Sequence, residues 1–285
     1  MKKIITSVII IMLVVIGIGG YLYYDAFYLA PKRLSTQFET ITDSMIPESF
    51  DNVQILFISD INYNLFMDYD RFSLIIDKIN ELNPDIVIFL GDLFAHPSTN
   101  VPSDAIQDEI TNLLSSINAP LGKFAVYGEQ DLESVVTKQL FDDIMANADF
   151  EILDNEYIKL YNKSSTFINL IGLDCPLSGE LDIEKAFTDI YRDTYTITIC
   201  HTPDVADSIP NDYVNLMLSG HSLGGQIYIP LIGGVMKMPY AKKYYRGKYM
   251  VNNTLLYVTN GVGTAKYDAR LFSDPEIVLF QLKHQ

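Results

Sequence analysis

Tryptophan is absent from the 285 residues, and only two cysteines and four histidines are present. Two cysteines, Cys175 and Cys200, allow at most one disulfide, which excludes a disulfide-stapled scaffold. Their apolar surroundings favour buried structural thiols, paired or free. Basic side chains are scarce too, 20 against 36 acidic ones, for a net charge of −16. Lys2, Lys3, Lys32 and Arg33 fall within the first 33 residues, opposed there by Asp25 alone. Residues 34–285 therefore hold 16 basic and 35 acidic groups, a net of −19. Such a domain repels nucleic acid, which is not expected as a partner, and anionic membrane surface unless it has a local basic patch, and a phosphate-bearing ligand needs a metal or that patch to approach it. No internal repeat and no low-complexity linker follows residue 50. With 48% apolar residues, including 19 Tyr and 15 Phe, one domain with a full core is expected over residues 51–285.

The longest uncharged stretch is residues 4–24, IITSVIIIMLVVIGIGGYLYY. Its length suits a membrane span, and its terminal tyrosines suit the interface. It is longer than a signal-peptide core and shows no clear small-x-small cleavage site, so an uncleaved anchor over residues 1–33 is the expectation. A single-pass protein of the cell membrane follows, with its amino terminus inside and the globular domain outside. Residues 34–50 then read as a polar stalk.

Further along, NVQILFIS (52–59) is apolar and β-branched and reads as a strand ending at Asp60. Phe72, Ile75, Ile76 and Ile79 recur at helical spacing over 69–82, and Asn83-Pro84-Asp85 stops that helix. Residues 86–90 form a second strand, ending in Gly91-Asp92. This β-α-β unit has parallel strands, so Asp60 and Asp92 are expected side by side at one sheet edge. Ser103 is placed to cap a helix carrying Ile106, Ile110, Leu113, Leu114 and Ile117. KFAVY (123–127) is a strand running into Gly128-Glu129-Gln130-Asp131, followed by a helix to about Ala146. Strands are expected at 157–161, 166–173, 194–200 and 214–219, with a helix near 182–191. QIYI, LLYV and EIVLFQL read as later strands of a second sheet.

Five of these strands end in residues able to hold a metal: Asp60, Asp92, Glu129, His201 and His221. A strand-end Asp alone more often caps a turn, and a lone His is more often a hydrogen-bonded core residue. Five together on one sheet edge point to a metal centre, since chemistry in α/β folds gathers at strand carboxyl ends. Mixed oxygen and imidazole donors suit Zn, Mn or Fe.

The segments FISDIN, FLGDLF, VYGEQD, ICHTPD and SGHSLGGQ, in this order, resemble the five blocks of the calcineurin-like metallophosphoesterases, over about residues 50–283. The closing stretch YVTNGVGTAKYDARLFSDPEIVLFQL resembles the membrane-anchored bacterial branch. The resemblance implies a four-layer α/β/β/α sandwich, here preceded by one transmembrane helix, with two metal ions at the strand ends and phosphoester hydrolysis as the activity. It assigns the second ion to Asp92, Glu129, His201 and His221, with Glu129 in place of the family's amide. It assigns the first to Asp60, Asn62, Asp92 and position 223. That position is Leu223, which has no donor, and Asn62, where the family has His, offers only a neutral oxygen. The first site is then left with a weakly held hard cation at best. Gln130 replaces the block-three His and cannot shuttle a proton. The expectation is one divalent transition metal and weak or absent hydrolysis of a phosphodiester, phosphomonoester or pyrophosphate, a lipid among them. Two alternatives stand beside it: a non-catalytic binder of metal or phospholigand, and a partner-binding ectodomain with a vestigial site.

Two other features bear on function. His96, four residues past Asp92, is a substitute-ligand candidate, although a loop His before Pro97 more often faces solvent. KMPYAKKYYRGKY (237–249) concentrates five basic residues in an acidic domain. Lys242, Lys243 and Arg246 are the candidates there for anionic headgroups or a phosphorylated substrate, against the plainer reading of a solvated loop. LIGGVMKMPY (231–240) reads as an apolar flap or as buried packing.

Overall fold

The computed structural model describes residues 2–285. The chain begins with α1 (Lys2–Tyr24), long and apolar enough to cross a membrane, whose most apolar window is not buried against the domain. It then runs β1 (Ser35–Asp43), β2 (Gln54–Ile58), α2 (Tyr69–Leu82), β3 (Ile86–Phe89), α3 (Asp104–Ser115), β4 (Lys123–Ala125), α4 (Val135–Asn147) and β5 (Phe150–Ile152). The second half adds β6 (Glu156–Tyr161), β7 (Phe167–Leu173), α5 (Ile183–Ala186), β8 (Thr196–Cys200), β9 (Leu216–Ser219), β10 (Tyr228–Ile229), β11 (Gly233–Gly234), β12 (Gly247–Val251), β13 (Thr254–Val258) and β14 (Glu276–His284).

Two six-stranded sheets stack face to face, in the orders β1-β14-β2-β3-β4-β5 and β12-β13-β9-β8-β7-β6. Between them lie Phe57, Ile88, Val126 and Phe280 of the first sheet and Leu170, Ile199, Leu218 and Tyr257 of the second. Phe57 meets Tyr257 edge-on at 5.6 Å and stacks on Phe280 at 5.5 Å, so aromatic packing joins the layers. Helices α2, α3 and α4 cover the outer face of the first sheet. A thinner layer of α5, the turn at 203–207 and Tyr244 covers the second. The architecture is the four-layer α/β/β/α sandwich.

Local chemistry explains the boundaries that position the site. The Asp68 carboxylate caps α2 by accepting from Arg71 N, and Asn83 ends it in the left-handed conformation (φ 50°). β2 and β3 pair in parallel with Ile58 opposite Phe89, which sets Asp60 and Asp92 side by side.

Several expectations change. Residues 34–50 are not a stalk: β1 pairs in parallel with β14 along nine residues, and Ile46 and Phe50 are fully buried. Its run STQFETITD is polar by composition but alternates in burial, as an edge strand does. EIVLFQL belongs to the first sheet, not the second, as β14 antiparallel to β2. QIYI shrinks to one arm of a two-residue-per-strand hairpin, β10–β11. The helix near 182–191 closes after one turn at Ala186. Ser103 holds the cap position of α3 without a side-chain hydrogen bond. Cys175 and Cys200 are buried free thiols.

Candidate metal centre

The five strand-end residues come from both sheets, not from one. β2, β3 and β4 lead into Asp60, Asp92 and Glu129, while β8 and β9 lead into His201 and His221. The centre therefore sits on the seam where the carboxyl edges of the two sheets meet. The chain turns sharply there. Asp60, Asp92 and His221 all have positive φ (55°, 61° and 67°), a backbone state that non-glycine residues seldom adopt outside sites where the surroundings enforce it. Gly91 permits a close approach of backbone to backbone: a Cβ on it would lie 2.3 Å from Gly128 N.

Asp92, His201 and His221 are buried, and their donor atoms lie within 4.8 Å of one another. His201 Nδ1 donates to Leu90 O (2.6 Å), and His221 Nε2 donates to Pro239 O (2.9 Å). Each imidazole thus spends one nitrogen on a backbone carbonyl and turns the other inward. The inward pair, His201 Nε2 and His221 Nδ1, stand 3.2 Å apart, with Asp92 Oδ2 at 3.4 Å from the former. Two imidazole lone pairs and a carboxylate converging in this way require a cation, either a proton or a metal. In the metal-free protein the cation is a proton. Burial disfavours a charged His201, but the charges of Asp92 and Asp60 outweigh it and hold its pKa up at about 10. Burial and the neighbouring His201 charge push His221 down to about 4. The donor set therefore fits a divalent transition metal.

The remaining expected ligands stand apart from this cluster. Glu129 is half-buried beside Asp92, and burial together with that charge raises its pKa. Its Oε1 accepts from Gln130 Nε2 at 3.4 Å. Asp60 is buried but spends Oδ2 on the backbone N–H of His221 (2.9 Å). Burial and repulsion from Asp92 raise its pKa. Asn62 is buried with its backbone N–H on Asp92 O (3.1 Å), and its side chain reaches only Asp60 O at 3.5 Å. Leu223 is buried, and its carbonyl accepts from Arg270 Nη1 (2.9 Å) and Ser273 Oγ (3.1 Å). Gln130 turns its carbonyl to the backbone N–H of His96 (2.9 Å). His96 is exposed, paired with Glu133 at 3.3 Å, and lies outside the cluster.

The family model described as calcineurin-like phosphoesterase matches residues 53–224 of this chain. The chain belongs to that family. Its relatives include the metallophosphoesterase YkuE of Bacillus subtilis, 34% identical over 265 residues, covering 93% of this chain and 90% of that protein. Phosphodiesterase YaeI of Escherichia coli is 26% identical, covering 80% of this chain and 82% of that one. The UDP-2,3-diacylglucosamine pyrophosphatase LpxG of Chlamydia muridarum is 24% identical, covering 91% and 92%. Metallophosphoesterases bind divalent metals, in keeping with the cluster on Asp92.

Sequence reasoning gave three residues no role that the structure assigns them. The buried Asp131 carboxylate accepts from Asp92 N (2.8 Å), Leu93 N (3.0 Å) and Gly128 N (2.8 Å), tying the ends of β3 and β4 together. Burial and the Asp92 charge raise its pKa to about 7. Asp204, three residues past His201, accepts from the backbone N–H groups of Lys242, Lys243 and Tyr244 and anchors the basic loop to the metal edge. The fully buried Arg270 donates to the carbonyls of Leu223, Asn260, Gly261, Gly263 and Ser273, fixing the loops behind the centre. In the basic patch, Lys243 Nζ pairs with Asp207 (2.7 Å), Arg246 Nη1 donates to Phe272 O (2.9 Å), and Lys242 is exposed.

Proposed function

We propose that this chain is a membrane-tethered, divergent metallophosphoesterase that holds one divalent transition metal (Mn, Fe or Zn) and hydrolyses a phosphodiester, phosphomonoester or pyrophosphate weakly if at all. The observation that carries the reading is the asymmetry around Asp92. His201 and His221 converge on one side, while Leu223, Asn62 and Asp60, whose Oδ2 accepts from His221 N, occupy the other. Asp92, His201 and His221 would hold the ion, with Glu129 the adjoining carboxylate. A divalent ion bound there supplies Lewis-acid polarisation of a phosphoryl oxygen.

The protein's own groups support only part of the family chemistry. Leu90 O and Pro239 O fix the imidazole tautomers, and Asp131 fixes the backbone of Asp92. Gln130 donates a hydrogen bond to an anionic oxygen but leaves the leaving group without a proton. The apolar α1 supports tethering; a domain on the extracytoplasmic side is part of the same proposal. A non-catalytic binder of a phosphorylated small molecule or lipid is the second reading, favoured by Gln130 alone. Elemental analysis of the full chain in detergent, together with turnover of an aryl phosphodiester in Mn2+, tests the proposal. One ion per chain with feeble turnover is expected. Two ions with robust turnover would overturn it.

A further inference from the structure

The loop leading from the metal edge to β12 carries the hairpin β10–β11, whose tip packs on nothing. Leu231 is 104% exposed, Ile232 77% and Val235 57%. An apolar tip on a strongly acidic domain marks an interaction site. Its place in the molecule indicates what it meets. At the hairpin base, Tyr228 N donates to Leu271 O (2.8 Å). The adjoining Arg270 N donates to Ala26 O (2.8 Å), two residues after α1 ends. Arg71 Nη2 bonds Pro31 O (2.8 Å), and Arg33 pairs with both Asp25 and Asp274. Tyr21 and Leu22 of α1 line one cavity of about 700 Å³ with Arg246 and Phe272. The hairpin base is thus hydrogen-bonded to the β13–β14 loop, which clamps the exit of α1. Lys237 and Lys242 flank it and are exposed. An apolar tip with cationic neighbours at the level where a span leaves the bilayer has the character of an interfacial element.

We propose that Leu231, Ile232 and Val235 insert into the headgroup–acyl boundary of the anionic bilayer that α1 spans, with Lys237 and Lys242 on the headgroups. The proposal rests on reading α1 as an anchor. It links the membrane to the metal centre, because the loop that carries the hairpin returns through Pro239, whose carbonyl accepts from His221 Nε2, and Tyr240, whose carbonyl accepts from Asp204 N. Docking sets residues 235–242 at headgroup level beside the ion. The substrate class that reaches the centre is then a phosphorylated amphiphile that stays in the bilayer.

The lack of tryptophan makes the test clean, because one introduced indole is the only one in the chain. Full-length Ile232→Trp, Ile16→Trp and Val136→Trp are reconstituted in phosphatidylcholine–phosphatidylglycerol vesicles carrying a shallow doxyl lipid and, for Ile16→Trp, in vesicles carrying a deep one. Val136 is 75% exposed on α4, remote from α1. For an element buried about 5–10 Å into the interface, Ile232→Trp should lose roughly half its emission to the quencher, while Val136→Trp keeps its own. Ile232→Trp as little quenched as Val136→Trp, with Ile16→Trp quenched, overturns the docking while leaving the anchor standing. Ile16→Trp unquenched overturns the anchor, and the docking with it.

Discussion

On one side of Asp92 stand His201 and His221, each with one nitrogen bonded to a carbonyl and the other turned inward. On the other side stand Asp60, Asn62 and Leu223, reached by equally sharp turns with φ of 55°, 49° and 51°. The backbone is shaped alike on both sides, and the side chains decide what each can hold. Where the inward atoms are imidazole lone pairs, a cation is required. Where they are an alkyl group and one carboxylate that already accepts from a backbone N–H, fewer donors face inward. Strand ends and turns, not the side chains they carry, place the backbone on both sides.

The sharpest way to break this contrast is to rebuild the missing side. Asn62→His, Glu129→Asn, Gln130→His and Leu223→His together should bring a second ion and raise phosphodiester turnover by about 10²–10⁴, the range for general acid–base work. Unchanged turnover in a folded, two-ion variant would show that the chain has changed substrate instead of losing catalysis. The opposite manipulation, His201→Ala, should weaken metal binding by at least about 100-fold, judged against the 10–100-fold lost with mere supporting partners, and isothermal titration reads it directly.

Acidity separates the two sides by a smaller step. His201 in the metal-free fold titrates at about 10, so it carries a proton that the metal must displace, whereas His221, at about 4, does not. Apparent metal affinity should therefore fall about tenfold for each pH unit lowered between pH 9 and pH 6, with release of one proton per ion in calorimetry across buffers. The same shift stabilises the metal-free fold below the ordinary histidine pKa of 6.5. That stability declines as pH rises towards 10. The smallest effect belongs to the silent side: Asn62→Ala should leave metal affinity within about twofold, because its amide makes only a marginal 3.5 Å contact. A larger loss would give the first side a role in the single-ion site.

Much of this arrangement could be read from residue types, and the failures share a cause. The apolar runs ending at Asp60, Asp92, Glu129, His201 and His221 declared the strands, and three of those end residues, Asp92, His201 and His221, meet in one cluster. Helix α2 was bounded by the spacing of Phe72, Ile75, Ile76 and Ile79 and by Asn83. What escaped was whatever depends on a partner without a residue signature. β1 is polar by composition and becomes a strand only because β14 lies beside it. β14 could not be assigned to a sheet from its own apolar run. The carbonyls of Leu90 and Pro239 orient both histidines, yet every residue has a carbonyl. The two-sheet origin of the ligands also lay beyond the pattern, since β2 and β8 look alike until they are stacked.

Arg270 gives these loops a shared fate in assembly. Its guanidinium finds its acceptors on Leu223 and on four residues between Asn260 and Ser273, and its own N–H reaches Ala26. A buried arginine with half its acceptors missing is far less favourable than one left in water. Partial docking of this region is therefore costly, and its loops gain by closing together. The loops behind Leu223 and the residues just after the apolar helix α1 share this one buried side chain, so damage to Arg270 should be felt at both.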